Sequence, residues 1–376
     1  MELLTFSNSF LDVTPWRSAT RTDYDDYNFN FGSGYTDHLP TGYVSYENLY
    51  PQSTPNNSTI GVFLTPESTT PVGNFIYEGV ENGVNKWRST IVVKEGEQYF
   101  IYGFMPRQQS QRAVITPLGD PSSPDGGYAA GATLTIQDFE TLTPADVSVI
   151  VGVRWATDEE KINGTKQYDV PLGNFEYNGR EDGKNRLFVL LKHIYAGLHF
   201  AATVDPTYAA LRTIRITRME LIARNITENI NLSLTLRANK LGLDPLDTQT
   251  DITYEPIGEP TPTSSIVLFP YEDSEPYITV PSGTYSSFLG CFAPSSCESF
   301  VLRTTYDVYD KDTSHSPDGN LIRQNCVAEN KIDKGTINNF PNLVAGQEFT
   351  VKLTIKPTFL YALSDPDLDN PTIVVN

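Results

Sequence analysis

The sequence is poor in cysteine, histidine and basic residues. Its 376 residues include three cysteines and four histidines, and 27 lysines and arginines are outnumbered by 46 aspartates and glutamates, which gives a formal net charge of −19. Nucleic-acid binding depends largely on positive charge, and anionic membrane surfaces also attract basic segments. We therefore expect neither nucleic acid nor an anionic membrane surface to be a partner.

The cysteines and histidines are too scattered to predict a metal centre. Cys291 and Cys297 bracket the segment "FAPSS", whereas Cys326 stands on a separate segment. Zinc sites use closely spaced cysteine pairs and converging histidines, and an odd number of cysteines leaves at least one thiol unpaired. We expect buried or incidental thiols with at most one disulfide, no metal and no cofactor.

An acidic segment near the C-terminus has part of a calcium-binding pattern. In "SDPDLDNP", Asp365, Asp367 and Asp369 alternate like the first ligands of a calcium loop. The glycine and the distal glutamate of such a loop are missing, and Pro366 and Pro371 stiffen the segment differently. We predict a solvated turn here.

No segment predicts a membrane-spanning helix or an export signal. A span needs about 18 consecutive apolar residues, and the longest candidates, such as "FVLLKHIYAGLHFAA", are interrupted by charge and histidine. The start, "MELLTFSNSF", lacks the basic and apolar regions of a secretory signal. We expect a chain that is either cytosolic or exported by a signal that has been removed.

Alternating apolar residues predict β-strands along most of the sequence. The segments "INLSLTLR" (230–237) and "FTVKLTIK" (349–356) place apolar residues on one face and polar residues on the other. In "RTIRITRMELIA" the apolar positions change phase after Ile216, which predicts a β-bulge near Thr217–Arg218. "DPTYAALRT" predicts one short helical turn, and residues 241–265 predict a long loop.

The strand pattern predicts an all-β fold of two tandem β-sandwich domains. Many short strand candidates are separated by glycine, proline, asparagine and aspartate, with 26 glycines and 26 prolines in all. One hydrophobic core usually stops growing by about 250–300 residues. The polar segment 157–171 predicts the boundary, which gives an N-terminal domain at 1–160 and a C-terminal domain at 161–376.

Two segments resemble each other closely, Val72–Trp87 and Leu172–Leu187. Each predicts a β-hairpin, because Asn82-Gly83 and Asp182-Gly183 supply the positive φ that a tight turn needs. The similarity fades beyond the turns, and the two segments occupy non-equivalent places in the predicted domains. We interpret them as two similar hairpins rather than as a duplicated domain.

The sequence contains no recognisable catalytic motif. It lacks G-x-S-x-G, H-E-x-x-H and the glycine-rich nucleotide-binding patterns, and no local motif supports any of its four histidines. Paired carboxylates for glycoside hydrolysis are compatible with any sequence this acidic and discriminate nothing. The 21 tyrosines and 19 phenylalanines fit both sandwich cores and sugar-binding surfaces. We expect no enzymatic activity.

Four blocks of sequence carry a resemblance to a known family. They are "WRSTIVVKEGEQYFIYGFMP", "LFVLLKHIYAGLHFAATVDPTYAALRTIRITRMELIA", "FVLRTTYDVYDKDTSHSPDGNLIRQNCVAENKI" and "LVAGQEFTVKLTIKPTFLYALSDPDLDNPTIVVN". In this order they resemble the fimbrillin family, the type V pilus subunits and related surface lipoproteins of Bacteroides-type bacteria. The resemblance implies two transthyretin-like β-sandwich domains, a lipid anchor in the outer membrane, and display at the cell surface or in a fimbrium.

The resemblance also implies how subunits join. In the family, cleavage after an arginine near the N-terminus removes the first strand, and a neighbour's strand then fills the groove. The matching cleavage positions are Arg17 or Arg21, and the inserting strand matches Pro371, Thr372, Ile373, Val374 and Val375. The implied partners are other pilus subunits and a host or bacterial surface receptor.

Several alternatives remain open at this stage. No lipobox cysteine stands at the N-terminus, so we expect Met1 to begin a trimmed form. The sequence does not decide between a stalk subunit and a tip adhesin, and residues 371–375 fit either a donor segment or the last strand of a domain. The alternative function is a surface glycan-binding β-sandwich protein, which predicts an exposed row of aromatic residues.

Overall fold

The computed structural model of the chain describes residues 4–5, 9–10, 12–15, 43–44, 59–66, 68–81, 84–89, 92–93, 98–107, 112–144, 147–155, 186–239, 242–243, 251–271, 274–294, 297, 299–311, 319–333, 344–346, 348–359 and 366–375. Nearly all of the regular structure in these residues is β-strand, which confirms the predicted all-β class.

The strands follow one another along the chain as β1 (Leu4–Thr5), β2 (Ser9–Phe10), β3 (Asp12–Pro15), β4 (Tyr43–Val44), β5 (Thr59–Thr65), β6 (Gly73–Glu81), β7 (Val84–Ser89), β8 (Val92–Val93), β9 (Gln98–Met105), β10 (Ala113–Pro117), β11 (Gly131–Glu140), β12 (Leu142–Thr143), β13 (Ser148–Trp155), β14 (Arg186–His193), β15 (Ala196–Val204), β16 (Arg212–Ile226), β17 (Asn229–Asn239), β18 (Gly242–Leu243), β19 (Ile252–Pro256), β20 (Thr261–Phe269), β21 (Ile278–Thr279), β22 (Ser286–Phe292), β23 (Phe300–Asp310), β24 (Leu321–Ile332), β25 (Glu348–Phe359) and β26 (Pro366–Val375). The described residues also include a short helix, α1 (Pro206–Ala209), and a 3₁₀ turn at Tyr128–Ala130.

Two sheets form an N-terminal sandwich. Sheet 1 has nine strands in the order β3-β14-β13-β9-β5-β6-β7, with β1 also on β9 and β4 also on β14. Sheet 2 has the order β10-β11-β17-β18, with β19 also on β17. Edge-to-face contact between Phe104 of β9 and Phe139 of β11, with ring centroids 5.7 Å apart, joins the two sheets.

Two further sheets form a C-terminal sandwich. Sheet 3 has the order β12-β22-β15-β25-β26, and sheet 4 has the order β20-β16-β23-β24 with β21 also on β16. One buried apolar cluster fills the space between them and includes Phe200, Leu221, Phe288, Leu302 and Leu353. Burial of this apolar surface is the main force that holds the two sheets together.

The alternating patterns place their apolar residues as predicted. On β17 the side chains of Ile230, Leu232, Leu234 and Leu236 are all buried. On β25, Val351, Leu353 and Ile355 are buried while Thr350, Lys352 and Lys356 are exposed. Successive strand residues point to opposite faces, so this alternation is sufficient to fix which face packs on the core.

The predicted irregularities of residues 205–218 are also confirmed. The register between β16 and β23 runs from Ile216 opposite Tyr306 to Arg218 opposite Thr305, so Thr217 is the additional residue of a bulge. The bulge keeps the apolar residues on both sides of it in the core. The helical turn α1 is capped by Asp205, whose Oδ1 accepts hydrogen bonds from the backbone N–H groups of Thr207 and Tyr208.

Two of the predictions for irregular segments are wrong. Residues 241–265 are not one long loop, because β19 pairs with β17 and β20 pairs with β16. The acidic segment before the C-terminus is not a simple turn, because β26 begins at Pro366. Both segments are polar strands at sheet edges, where backbone hydrogen bonds and one or two buried side chains replace a full apolar face.

Strands from both sides of the predicted domain boundary share sheets. β13 pairs with β14 in sheet 1, and β11 pairs with β17 in sheet 2. The domain limits at residue 160 stay a prediction, as does the transthyretin-like topology. The hairpin at Val72–Trp87 forms between β6 and β7, with Glu81 opposite Val84. Its sequence counterpart at residues 172–185 lies outside the described part of the chain.

Within the described residues no helix is long and apolar enough to cross a membrane. All three cysteines are present as thiols outside any disulfide. Cys291 is buried, and Cys297 and Cys326 are half-buried against the apolar cluster of the C-terminal sandwich. The disulfide that the sequence allowed is therefore not formed.

Candidate functional site at the sheet edges

The predicted strand-exchange segment, residues 371–375, forms the second half of the edge strand β26. It pairs antiparallel with β25, with Pro371 opposite Pro357, Ile373 opposite Ile355 and Val375 opposite Leu353. β25 itself pairs in parallel with β15, from Gly197 opposite Glu348 to Val204 opposite Ile355. The segment thus lies in its own sheet and covers an edge of β25.

The geometry of this edge explains why it tolerates two prolines. The carbonyl of Ile355 accepts a hydrogen bond from the N–H of Asp205 on one side, and that of Ile373 accepts one from the Asn330 side chain on the other, both at 2.8 Å. These two carbonyls point away from each other, so Ile355 and Ile373 form a non-hydrogen-bonded pair. Pair types alternate along a ladder, so Pro357 and Pro371 form a pair of the same type, which needs no N–H group between them.

The described side chains of β26 are those of residues 372–375. Ile373 is 5% exposed, whereas Thr372, Val374 and Val375 are half-buried. The register shifts between Asp367 and Pro371, which lie opposite Thr358 and Pro357 of β25. β26 is an edge strand that pairs on one side only, so we expect its attachment to be weaker than that of the central strands.

The strand β24 in the opposite sheet helps to hold β26. The Nδ2 atom of Asn330 donates a hydrogen bond to the carbonyl of Ile373. The Oδ1 atom of the same side chain is buried without a hydrogen-bond partner. An unpartnered buried acceptor costs about 1–3 kcal/mol. Asn330 therefore anchors β26 through one atom and carries a desolvation cost at the other.

The N-terminal segment is the second candidate edge. β3 pairs in parallel with β14, from Asp12 opposite Arg186 to Pro15 opposite Val189. β1 pairs with β9 and β2 pairs with β8. The first fifteen residues are thus joined by backbone pairing to three strands, and the last of these contacts lies just before the predicted cleavage positions.

The edge of β14 is covered by two segments. β3 covers residues 186–189, and β4 covers Leu191 and Lys192 in the antiparallel direction. Arg17 and Arg21 lie between β3 and β4 in the sequence and outside the described residues. Loss of β3 would expose the backbone groups of residues 186–189 while β4 still covers the rest of the edge.

The predicted strand-exchange segment and the strand before the predicted cleavage positions belong to different sheets. Residues 371–375 lie at the edge of sheet 3, whereas β3, which precedes Arg17 and Arg21 in the sequence, lies in sheet 1. Arg17 and Arg21 themselves lie outside the described residues.

The described histidines do not form a catalytic arrangement. Ser148 Oγ lies 3.2 Å from His193 Nδ1, but the Ser148 side chain is fully buried between strands, where a substrate does not reach it. A nucleophile must be able to contact the atom it attacks. Among the described residues no group of three or more histidine, cysteine, aspartate or glutamate side chains could hold a metal ion.

The outer face of sheet 4 carries an arginine stacked between two tyrosines. The guanidinium carbon of Arg215 lies 4.3 Å from the ring centroid of Tyr277 and 4.4 Å from that of Tyr309. Arg215 is 9% exposed, so the stack is a packed structural contact that fixes β21 onto β16. The exposed tyrosines of the described residues, Tyr271 and Tyr285, lie on separate loops and form no row on a sheet face.

Charged side chains form a ladder across the same face. Arg218 lies 2.7 Å from Glu220, and Arg303 bridges Glu220 and Glu329 at 3.9 and 2.8 Å. The hydrogen bond from Arg218, together with the positive charges of Arg218 and Arg303, lowers the pKa of Glu220 against the opposing effect of burial. These four charges are paired with each other, so the ladder is not a concentrated positive patch for an anionic ligand.

The solved structures that align with this chain over most of its length include adhesion and fimbrial proteins. A proposed cell adhesion protein of Bacteroides fragilis aligns with 98% of this chain and 97% of its own, with a TM-score of 0.37 and 10% identity. One of Bacteroides uniformis covers 85% and 90%, with a TM-score of 0.34 and 11% identity. The fimbrial anchor protein Mfa2 of Porphyromonas gingivalis covers 89% and 92%, with a TM-score of 0.24 and 13% identity.

Because every one of these TM-scores is below 0.5, the architecture rests on the strand pairings above and not on the alignments. No protein-family model and no curated protein matches the sequence.

Sequence reasoning missed the residues that hold the edges. Asn330 is one polar residue in an irregular, charged strand, and its partner carbonyl is 43 positions away. The pairing of β3 with β14 is parallel and joins residues more than 170 positions apart. Neither contact leaves a periodic signal in the sequence. Pro357 and Pro371 are the residues here that indicate a sheet edge from the sequence, because proline within sheets is confined largely to edge strands.

Proposed function

We propose that the protein is a non-enzymatic subunit or adhesin of a bacterial surface fimbrium that joins its neighbours by strand exchange. Its partners are other fimbrial subunits and a surface receptor, and it is held at the outer membrane either directly by an N-terminal lipid or through the fimbrium. The observation that carries the proposal is the N-terminal segment, whose β3 covers an edge of β14 immediately before Arg17 and Arg21.

Strand exchange follows from the physics of this edge. Cleavage after Arg17 or Arg21 separates β1, β2 and β3 from the rest of the chain, so that only their short pairings with β9, β8 and β14 retain the released segment. Once it is lost, the N–H and C=O groups of residues 186–189 need new partners. A strand from a neighbouring subunit satisfies them by β-strand addition.

The C-terminal segment supplies the other half of the proposal. Residues 371–375 belong to an edge strand, and among the described side chains of this segment Ile373 is the buried one. In the proposed assembly β26 leaves β25 and enters the opened groove of a neighbour. Its release breaks the hydrogen bond from Asn330 to the carbonyl of Ile373 and the pairing with β25.

Limited proteolysis tests the proposal. The purified chain is treated with an arginine-specific protease and then examined by gel electrophoresis without boiling and by size-exclusion chromatography. We expect SDS-resistant oligomers after cleavage of the wild type and none from the double variant Arg17→Ala/Arg21→Ala. Arg224→Ala, which removes an exposed arginine inside β16, is the matched control and should oligomerise like the wild type. A cleaved wild-type chain that stays monomeric under all conditions would contradict the proposal.

The alternative function, surface glycan binding, has less support. It predicts an exposed row of aromatic residues, whereas the described exposed tyrosines are isolated and Arg215 occupies one face of each of the rings of Tyr277 and Tyr309. A glycan array decides this alternative. Binding that is lost in Tyr271→Ala or Tyr285→Ala would favour it.

A further inference from the structure

Within its described part the chain passes between the two sandwiches five times. It crosses at residues 140–142, 143–148, 193–196, 226–229 and 256–261, because β11, β13, β14, β17 and β19 belong to the N-terminal sandwich and β12, β15, β16 and β20 to the C-terminal one. Most domain pairs in one chain are joined by a single exposed linker with few contacts across it. This junction instead consists of five crossing segments.

Backbone hydrogen bonds join the crossing segments to one another. Thr141 N donates to the carbonyl of Glu228 at 2.8 Å, Ile194 N donates to that of Val147 at 2.9 Å, and Ile257 N donates to that of Asn229 at 3.0 Å. Each of these bonds connects two different crossings. All five crossings therefore belong to one connected network once the side-chain contacts are included.

Two tyrosines complete that network. Tyr195, between β14 and β15, donates its hydroxyl hydrogen bond to the carbonyl of Glu140 at 2.8 Å, and Tyr254 of β19 donates to the carbonyl of Ile194. The ring of Tyr195 packs edge-to-face on Phe139 and on Tyr254, with centroids 5.6 and 6.1 Å apart. Burial raises the pKa of both tyrosines, so both hydroxyls remain protonated donors.

The centre of the junction is buried, whereas the crossing at residues 256–261 lies at the surface. Thr141, Val147 and Ile194 are fully buried, and Tyr195 is 3% exposed. Separation of the sandwiches would expose these side chains and leave several backbone groups without partners, which is costly. These crossings do not act as a hinge, since a hinge needs a segment whose dihedral angles change without loss of packing.

We infer that the two sandwiches form one cooperative body, in which loss of structure in either sandwich unfolds the other. Loss of a strand from sheet 1 lowers the stability of sheets 3 and 4. Loss of a strand from sheet 3 or 4 likewise lowers the stability of sheets 1 and 2. This inference concerns the folded chain alone and stands independently of the proposed strand exchange.

The chain carries its own probes for a test. The three tryptophans, Trp16, Trp87 and Trp155, lie in the first 155 residues, whereas Cys291, Cys297 and Cys326 all lie in the later part of the chain. Trp87 and Trp155 belong to sheet 1, and Cys291 and Cys326 belong to sheets 3 and 4. Tryptophan fluorescence thus reports on the N-terminal sandwich and thiol accessibility on the C-terminal one.

The experiment is a urea titration of the full chain read with both probes, the thiols by pulse labelling at each urea concentration. We expect one shared midpoint in the wild type. Leu353→Ala in the core of β25 should lower both midpoints equally, and Leu134→Ala in β11 should do the same. Ile355→Val and Ile136→Val are milder counterparts if either alanine variant fails to fold.

Tyr254→Phe tests the coupling itself, with Tyr285→Phe at an exposed tyrosine as its control. In a single cooperative body the midpoints of Tyr254→Phe fall together. Two separate midpoints in the wild type, or a core variant that shifts only the probe of its own sandwich, would overturn the inference.

Discussion

Asn330 on β24 donates a hydrogen bond from Nδ2 to the backbone carbonyl of Ile373 on β26, at 2.8 Å. This contact joins the two sheets of the C-terminal sandwich at an edge where β26 would otherwise be held by β25 alone. The Oδ1 atom of Asn330 is buried and accepts no hydrogen bond. One side chain thus both secures the edge strand and limits how firmly it is held.

The substitution Asn330→Asp should loosen β26. The introduced carboxylate would face the carbonyl of Ile373 without a donor between them, and a charge in a buried position costs several kcal/mol unless it is paired. We expect amide hydrogen exchange at Thr372 and Val374 to become at least about tenfold faster, which corresponds to about 1.4 kcal/mol. Mass spectrometry of the C-terminal peptide measures this.

The control for charge is Gln324→Glu, an exposed position on the same strand that changes the net charge by the same amount. Exchange in β26 should be unaffected there. Equal exchange rates in the wild type and Asn330→Asp would show that the contact does not hold the strand.

Thr304→Val should stabilise the protein. Thr304 is fully buried in the C-terminal sandwich, and its hydroxyl has no hydrogen-bond partner. Valine has nearly the same shape and removes an unpartnered polar group, so we expect the free energy of unfolding to rise by about 1 kcal/mol. Urea denaturation measures the change. Thr305→Val, on the half-exposed outer face of the same strand, should change little; a loss of stability in Thr304→Val would mean that the hydroxyl is bonded.

Glu220 should contribute to stability in a pH-dependent way. Its pKa is lowered, first by the hydrogen bond from Arg218 and further by the charges of Arg218 and Arg303. A lowered pKa means that the contribution is present above the ordinary value of about 4.3 and is lost as the pH falls through the folded-state value.

Glu220→Gln should therefore lower the free energy of unfolding at pH 7 by about 1 kcal/mol. Between about pH 5 and 3 the free energy of unfolding should fall less in this variant than in the wild type. Thermal unfolding over this range checks the prediction. Glu259→Gln, at an exposed loop position, serves as the control. Parallel pH profiles for the wild type and Glu220→Gln would refute the role of the charged ladder.

The Cys326 thiol should be slow to react. Burial raises its pKa, with the negative charge of Asp307 adding to the effect and the positive charge of Arg323 opposing it. Thiolate is the reactive form, so labelling with iodoacetamide at neutral pH should be slower in the folded protein than in urea. The difference should narrow as the pH rises above the raised value. Peptide mapping reads each site, Cys326→Ser removes the signal, and equal rates in folded and unfolded chains would contradict the burial argument.

The apolar alternation of the central strands could be predicted from the sequence because it reflects a local rule. Ile230 to Leu236 alternate since β17 has one buried face, and the phase change after Ile216 marks a bulge since both halves of β16 must face the same core. In each case the pattern that predicts the buried face or the bulge lies in consecutive residues. The apolar residues of β17 face the core of the N-terminal sandwich, and those of β16 belong to the apolar cluster of the C-terminal one.

β19 and the first half of β26 could not be predicted in this way. β19 has Ile252 as its buried residue and is held by backbone pairing with β17, and residues 366–370 include proline and aspartate where a strand pattern expects apolar residues. Backbone hydrogen bonds are the same for every residue except proline, so they leave no mark in composition. The candidate site consists of such edges. The family resemblance therefore indicated which segments form the site, but the sequence did not indicate which residues they contact.

Hydrogen–deuterium exchange at the edge of β14 tests strand exchange most directly. The amides of residues 186–189 are measured in the intact chain, after arginine-specific cleavage, and after the cleaved chains have been concentrated to allow assembly. We predict protection by β3 in the intact chain, faster exchange once the segment before Arg17 or Arg21 is released, and restored protection in the oligomer. Exchange at residues 186–189 that is the same before and after cleavage would contradict the account.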